Sequence, residues 1–127
     1  MHHTYRGACH CGRVTFELQA KLDYVMDCNC SVCRRGGALW HGTADQYLRI
    51  LSGEEDLVLY QFHTRTAKHY FCKHCGIRPF SRPRLDPGKW VVNVRCIDEV
   101  DLAALPVRKF DGANWEIAAK ALYAQRA

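Results

Sequence analysis

Nowhere in its 127 residues does this chain hold the roughly 20 consecutive apolar residues that a membrane-crossing helix requires. Its first residues, Met1-His2-His3-Thr4-Tyr5-Arg6, lack the apolar stretch of a secretory leader. Both absences make the cytoplasm the expected compartment. No long basic run occurs either. The net charge of +5, from 18 Lys and Arg against 13 Asp and Glu, is scattered over Arg34 and Arg35, Lys68 and Lys73, Arg82 and Arg84, Arg108 and Lys109. Charges spread in this way read as solvated faces, so neither nucleic acid nor membrane is an expected partner. Internal repeats, low-complexity tracts and linkers are missing as well, which suits a single domain over 1–127. Hydrophobic residues at 48% and charged residues at 24% exclude a disordered chain.

What the chain does have is cysteine, eight in all. In a reducing compartment, closely spaced cysteines are metal ligands or catalytic groups more often than disulfides. Seven fall into tight groups: Cys9 and Cys11 as C-x-C, Cys28, Cys30 and Cys33 as C-x-C-x-x-C, Cys72 and Cys75 as C-x-x-C. Such spacings let one turn aim two thiolates at one cation, as zinc sites require. Gly12 and Gly76 each follow a pair, where positive φ lets the turn close beneath the metal.

The three thiols at 28–33 are local enough to face one ion together. That leaves Cys9, Cys11, Cys72 and Cys75 as a second set of four, the complement of a closed structural zinc site. In a chain this short, a metal bridging such distant segments adds usefully to stability. Three ligands plus an open position are the signature of catalytic zinc, and the open position can take water or a thiol. Cys96 leaves an alternative open. It could be the fourth ligand of the second site, or a small buried hydrophobe after an apolar strand. The groups do not follow ferredoxin spacings.

Strands are predicted at Val14-Thr15-Phe16-Glu17-Leu18, Tyr47 to Leu51, Leu57 to Phe62, Lys68 to Phe71 and Trp90 to Val94. Thr64-Arg65-Thr66 suits a hairpin loop, and Asp86-Pro87-Gly88 is a turn. Trp115, Ala118, Ala119 and Leu122 repeat at helical spacing behind Asn114, a plausible N-cap, and a helical turn over Asp101–Leu105 is stopped by Pro106. Many short strands and one terminal helix make a mainly β domain.

Three segments resemble the glutathione-dependent formaldehyde-activating family, which also includes centromere protein V. They are Gly7-Ala8-Cys9-His10-Cys11-Gly12-Arg13-Val14, Cys28-Asn29-Cys30-Ser31-Val32-Cys33-Arg34 and His69-Tyr70-Phe71-Cys72-Lys73-His74-Cys75-Gly76. Val92 to Asp98 and Phe110-Asp111-Gly112 look like elements of its short bacterial members. The resemblance implies a β-tent fold of small antiparallel sheets meeting at two zinc sites. It implies structural zinc on Cys9, Cys11, Cys72 and Cys75, and catalytic zinc on Cys28, Cys30 and Cys33. It also implies a carbon–sulfur lyase that adds formaldehyde to the small thiol glutathione, giving S-hydroxymethylglutathione. The rival readings are a non-enzymatic zinc module for a macromolecular partner and a metal or thiol sensor.

Arg34 and Arg35 directly follow the open set and are candidate clamps for a substrate carboxylate, with exposed surface charge as the plain alternative. Gly36-Gly37 would let a ligand approach the backbone or simply turn the chain. His41 is the best-placed candidate base, although a structural role suits it too. His10 and His74 sit between paired cysteines and are expected to point away from the metal, and His69 reads as a packed strand residue.

Overall fold

The protein's structure, a computed structural model, describes residues 2–126, and element counts refer to those residues. The chain runs β1 (His3–Ala8), β2 (Thr15–Ala20), β3 (Val25–Cys28), α1 (Ser31–Gly36), β4 (Trp40–Thr43) and β5 (Leu48–Ser52). It continues through β6 (Leu57–Tyr60), β7 (Lys68–Cys72), β8 (Phe80–Arg82), β9 (Trp90–Asn93), β10 (Val107–Phe110) and α2 (Trp115–Arg126). The fold is mainly β, with two sheets and a short C-terminal helix. No described helix is long and apolar enough to cross a membrane.

The smaller sheet has the order β1-β2-β5. Period-two alternation in β2 turns Phe16, Leu18 and Ala20 inward, all buried. Gly7 is opposite Phe16 in the β1–β2 register, and a Cβ there would fall 2.2 Å from Phe16 Cζ. The glycine is therefore what lets the aromatic ring lie across β1. The larger sheet has the order β10-β3-β4-β9-β8-β7-β6. All its pairings are antiparallel except one: β10 runs parallel to β3, with Phe110 beside Cys28.

Register divides the larger sheet into two faces. Phe80 pairs with Val92, and Val92 with His41. This row looks toward the smaller sheet, where Phe16 meets Phe80 edge-on at 5.8 Å between centroids and Phe80 meets Trp90 at 5.2 Å. Burying each such ring stabilises by about 1.5–3 kcal/mol. The adjacent row, one residue along every strand, is His69–Ser81–Val91–Gly42. It faces the other way and lines a cavity of about 900 Å³.

The five predicted strands correspond to β2, β5, β6, β7 and β9, and the helical turn before Pro106 is a 3-10 turn at Leu102–Ala104. Asn114 does not cap α2. It ends a 3-10 turn, Gly112–Asn114, and its Nδ2 donates to Asp111 Oδ2 at 2.9 Å.

Candidate functional site

The first sulfur cluster joins the β1–β2 turn to the end of β7. Sγ of Cys9, Cys11, Cys72 and Cys75 all lie within 4.8 Å of one another. Gly12 (φ 80) and Gly76 (φ 79) close the two turns, donating to the Cys9 and Cys72 carbonyls at 3.1 and 2.8 Å. Cys9 to Cys11 and Cys11 to Cys72 are both 3.6 Å apart. Four thiolates at zinc–sulfur distance on a tetrahedron are spaced by about 3.8 Å, so the donor set fits zinc. The second turn is anchored from outside. Lys73 N–H donates to the Asp56 carbonyl at 2.9 Å, and His74 Nε2 pairs with Asp56 Oδ1 at 2.8 Å. The Arg13 amide, then the Arg13 side chain, hold the Cys11 thiol down at about 6, while burial pushes Cys72 up to about 11. A cluster poised between thiol and thiolate releases protons when a metal binds.

The second cluster has three sulfurs. Cys28 ends β3, Cys30 caps α1 and Cys33 lies in its first turn, with their Sγ atoms within 4.8 Å of one another. Cys30 N–H donates to Cys28 Sγ, and Cys33 N–H to Cys30 Sγ, each at 3.5 Å. Hydrogen bonds from Cys28 and then Cys33 hold the Cys30 thiol well below its usual range, and the same sharing pushes Cys28 far above it. The trio's three soft donors also fit zinc, and the cavity opens beside them.

The segment after β10 packs over this cluster. Asn29 Nδ2 donates to Asp111 Oδ1 at 2.9 Å, and Ala113 N–H donates back to Asn29 Oδ1 at 2.9 Å. Gly112 sits so close that a Cβ on it would lie 2.5 Å from Cys28 Sγ. The cavity beyond is walled by Trp40, Phe62, Trp90, Phe110 and Trp115. Its rim is cationic. Arg34 and Arg35 line it from the exposed end of α1, where Arg35 Nη1 donates to Ser31 O at 3.0 Å. Arg82 lies 3.5 Å over the Trp90 ring and Arg84 3.7 Å over Trp115. The β6–β7 loop closes one side through Phe62, His63, Thr64 and Ala67, and it holds two non-glycine residues at positive φ, His63 (54°) and Arg65 (56°).

Residues 4–110 match the family described as glutathione-dependent formaldehyde-activating enzyme. The chain belongs to that family. A Halomonas elongata protein described as "Putative glutathione-dependent formaldehyde-activating enzyme" is 31% identical over 79 residues, 55% of this chain and 50% of the relative. The chain thus matches about half the length of that curated relative. The crystal structure of a Rhodobacter sphaeroides protein, a structural genomics target, is 41% identical, covers 81% of this chain and 99% of its own, and superimposes with a TM-score of 0.73. The family match spans both sulfur clusters and ends at Phe110, so the part of the wall formed by Gly112, Ala113, Trp115 and Leu122 lies outside it.

Within this member of the formaldehyde-activating family, several sequence candidates sit away from the cavity. His41 is on the opposite face of β4 from Trp40 and Gly42, so it cannot act as a base at the trio. Its burial lowers its pKa. His10 and His74 are exposed. Cys96 packs in the core with Cys9 and Cys72 rather than with Cys33, and belongs to neither sulfur cluster. Burial, then Cys9 and Cys75, push its thiol up to about 12, so it remains protonated. Arg78 and Ser81, which sequence reasoning passed over, reach the site, as does Gly112 of the Phe110-Asp111-Gly112 element. Arg78 bridges it, with Nη1 3.2 Å from His69 Nδ1 and Nη2 4.0 Å from Cys33 Sγ. Ser81 lies on the cavity floor, and Gly112 lies against Cys28. Alternation in Phe80-Ser81-Arg82 was the available signal for Ser81.

Proposed function

We propose that the chain is a single-domain, zinc-dependent carbon–sulfur lyase acting on a thiol adduct. Glutathione and formaldehyde, giving S-hydroxymethylglutathione, are the reactants to which the family name points. One observation carries this reading. Four sulfurs close on one another at the first cluster, whereas three sulfurs open onto a cavity of about 900 Å³ at the second. Zinc held by Cys9, Cys11, Cys72 and Cys75 would be structural. Zinc on Cys28, Cys30 and Cys33 would supply a position that takes a substrate thiol as its thiolate.

The remaining work falls to the chain's own side chains. Arg34 and Arg35 at the rim orient the carboxylates of a thiol such as glutathione. The aromatic walls exclude water from the space where sulfur and aldehyde meet. The reaction is an addition: the sulfur pair forms the carbon–sulfur bond, the carbonyl π pair moves to oxygen, and the thiol proton ends on that oxygen. No oxidant or reductant is consumed. The setting is a reducing compartment such as the cytoplasm, in keeping with eight free cysteines.

Cobalt substitution tests the reading. Glutathione entering a three-thiolate cobalt site is expected to change its visible absorption, whereas the four-thiolate site is already saturated. If no small thiol perturbs the spectrum at millimolar concentration, the lyase reading loses its basis. A non-enzymatic zinc module for a macromolecular partner would replace it.

A further inference from the structure

Two buried polar side chains on the cavity floor have an atom that the fold itself does not use. Ser81 is 2% exposed, and its Oγ has no hydrogen-bond partner among the described residues. His69, 8% exposed, is its register partner across β7 and β8, so both side chains leave the sheet on the same face. Both line the cavity. An unpaired hydroxyl buried this deeply is costly, and a native fold that retains one has a use for it.

Chemistry fixes the His69 tautomer. Arg78 Nη1 lies 3.2 Å from His69 Nδ1, and a guanidinium can only donate. Nδ1 therefore accepts, and the ring proton resides on Nε2. Burial, with the Arg78 charge added, lowers the imidazole pKa and keeps it neutral. Phe62 stacks on the ring at 5.5 Å and holds its plane. Nε2–H makes no other hydrogen bond in the described structure. The other end of the same guanidinium reaches Cys33 Sγ at 4.0 Å, so one side chain spans the distance between this donor and the sulfur trio.

The site thus offers two uncharged donors side by side, with Arg34, Arg35, Arg82 and Arg84 around the cavity and the Arg78 guanidinium turned to His69 Nδ1 and the Cys33 sulfur. Neutral donors in a buried apolar wall suit an uncharged oxygen, whereas carboxylates are better served by the rim arginines. Gly42, in the same row, has nothing within 4 Å of the space a Cβ would take, which leaves room above the pair. We propose that Ser81 Oγ–H and His69 Nε2–H hold the oxygen of the carbon that bonds to the substrate sulfur. That oxygen is the aldehyde oxygen before addition and the hemithioacetal hydroxyl after it. As the carbon–sulfur bond forms, the pair stabilises the charge arriving on oxygen until the thiol's proton reaches it. The proposal rests on the lyase reading and adds to it the class of adduct, one bearing oxygen on the carbon next to sulfur.

Calorimetry on the zinc-loaded protein tests it, with glutathione alone and with glutathione pre-equilibrated with formaldehyde. The wild type is expected to prefer the adduct. Ser81→Ala and His69→Leu should each lose about 3- to 10-fold of that preference, the worth of one neutral hydrogen bond, while the affinity for glutathione moves less than twofold. His69→Gln, which keeps an N–H donor, should retain most of it. Ser81→Ala should also melt at or above the wild-type temperature, because the Oγ removed has no partner in the protein. Full adduct preference in Ser81→Ala, or a clear loss of stability, overturns the inference and leaves the lyase reading intact. Wild-type protein that binds no glutathione at all overturns the lyase reading, and the inference with it.

Discussion

Replacing Gly112 with alanine adds one methyl group and is expected to loosen only the three-sulfur site. The backbone there does not need a glycine, because its φ lies outside the positive range, so the effect is steric. The new Cβ would lie 2.5 Å from Cys28 Sγ, 2.9 Å from Cys30 Cβ and 3.2 Å from Cys30 N. Unstrained contacts between such atoms are about 3.5–4.0 Å, so the segment or the sulfur must yield by about 1 Å. A free thiol could rotate away, but a sulfur bound to a metal cannot. Two of the three atoms belong to Cys30, which the start of α1 fixes. Overpacking of this kind costs about 1–3 kcal/mol. Charged to metal affinity, that is roughly a 5- to 150-fold weaker site. Competition with a chromophoric zinc chelator should show the tight step unchanged and the weaker step shifted, with the melting curve little altered. A folded Gly112→Ala protein that gives up both metals as the wild type does would refute the reasoning.

Three further outcomes are expected. Cys72→Ser should unfold the protein while Cys30→Ser leaves it folded by circular dichroism, since structural zinc is worth roughly 10–16 kcal/mol in small zinc-finger peptides and a domain is stable by only about 5–15; equal collapse of both would remove the division between the sites. Cys96→Ala should cost about 1 kcal/mol in thermal melts with zinc content unchanged, because the thiol is a protonated core group outside both clusters; loss of one zinc equivalent would make it a ligand. The His74 hydrogen bond, opposed by some desolvation and helped by the charges of His74 and Lys73, depresses the Asp56 pKa. A depressed carboxylate contributes stability above its unfolded pKa, about 3.9, and loses it as pH falls through the folded value. Asp56→Asn should therefore flatten the acid side of the stability profile, and an unaltered acid limb would show that the pair contributes nothing.

Local pattern made part of this molecule legible. Alternation over Phe16 and Leu18 and the apolar run at Trp90–Val92 identify strands, because each buries a face that sequence period reveals. Spacing alone groups seven sulfurs as the fold groups them in space. Other elements carry no such period. β1 is mostly exposed, β3 ends at Cys28 of the sulfur trio, and the four residues of β10 gain their place only by pairing with β3. α1 is six residues long and reads as a ligand turn. The cavity floor was hidden for a different reason. His69, Ser81, Val91 and Gly42 become neighbours only when four strands align in one register, and a slip of one residue would have brought His41 to the cavity instead.

The pairing of β10 with β3, and the exchange of hydrogen bonds between Asn29 and the 111–113 segment, also bear on the order of events during synthesis. The chain is made from its N-terminus, so Cys28, Cys30 and Cys33 leave the ribosome long before the segment that covers them. At about 5–20 residues per second, the stretch from Cys33 to Val107 takes several seconds to make. Throughout that interval the trio lacks the side later closed by Gly112, Trp115 and Leu122. Cys9 and Cys11 wait for their partners as well, since Cys72 and Cys75 emerge some sixty residues later. The trio is therefore complete as a local loop, whereas the four-sulfur cluster can form only after the β7 segment has emerged. The three-sulfur cluster thus belongs to the early life of the chain, and the 111–122 segment covers it only afterwards.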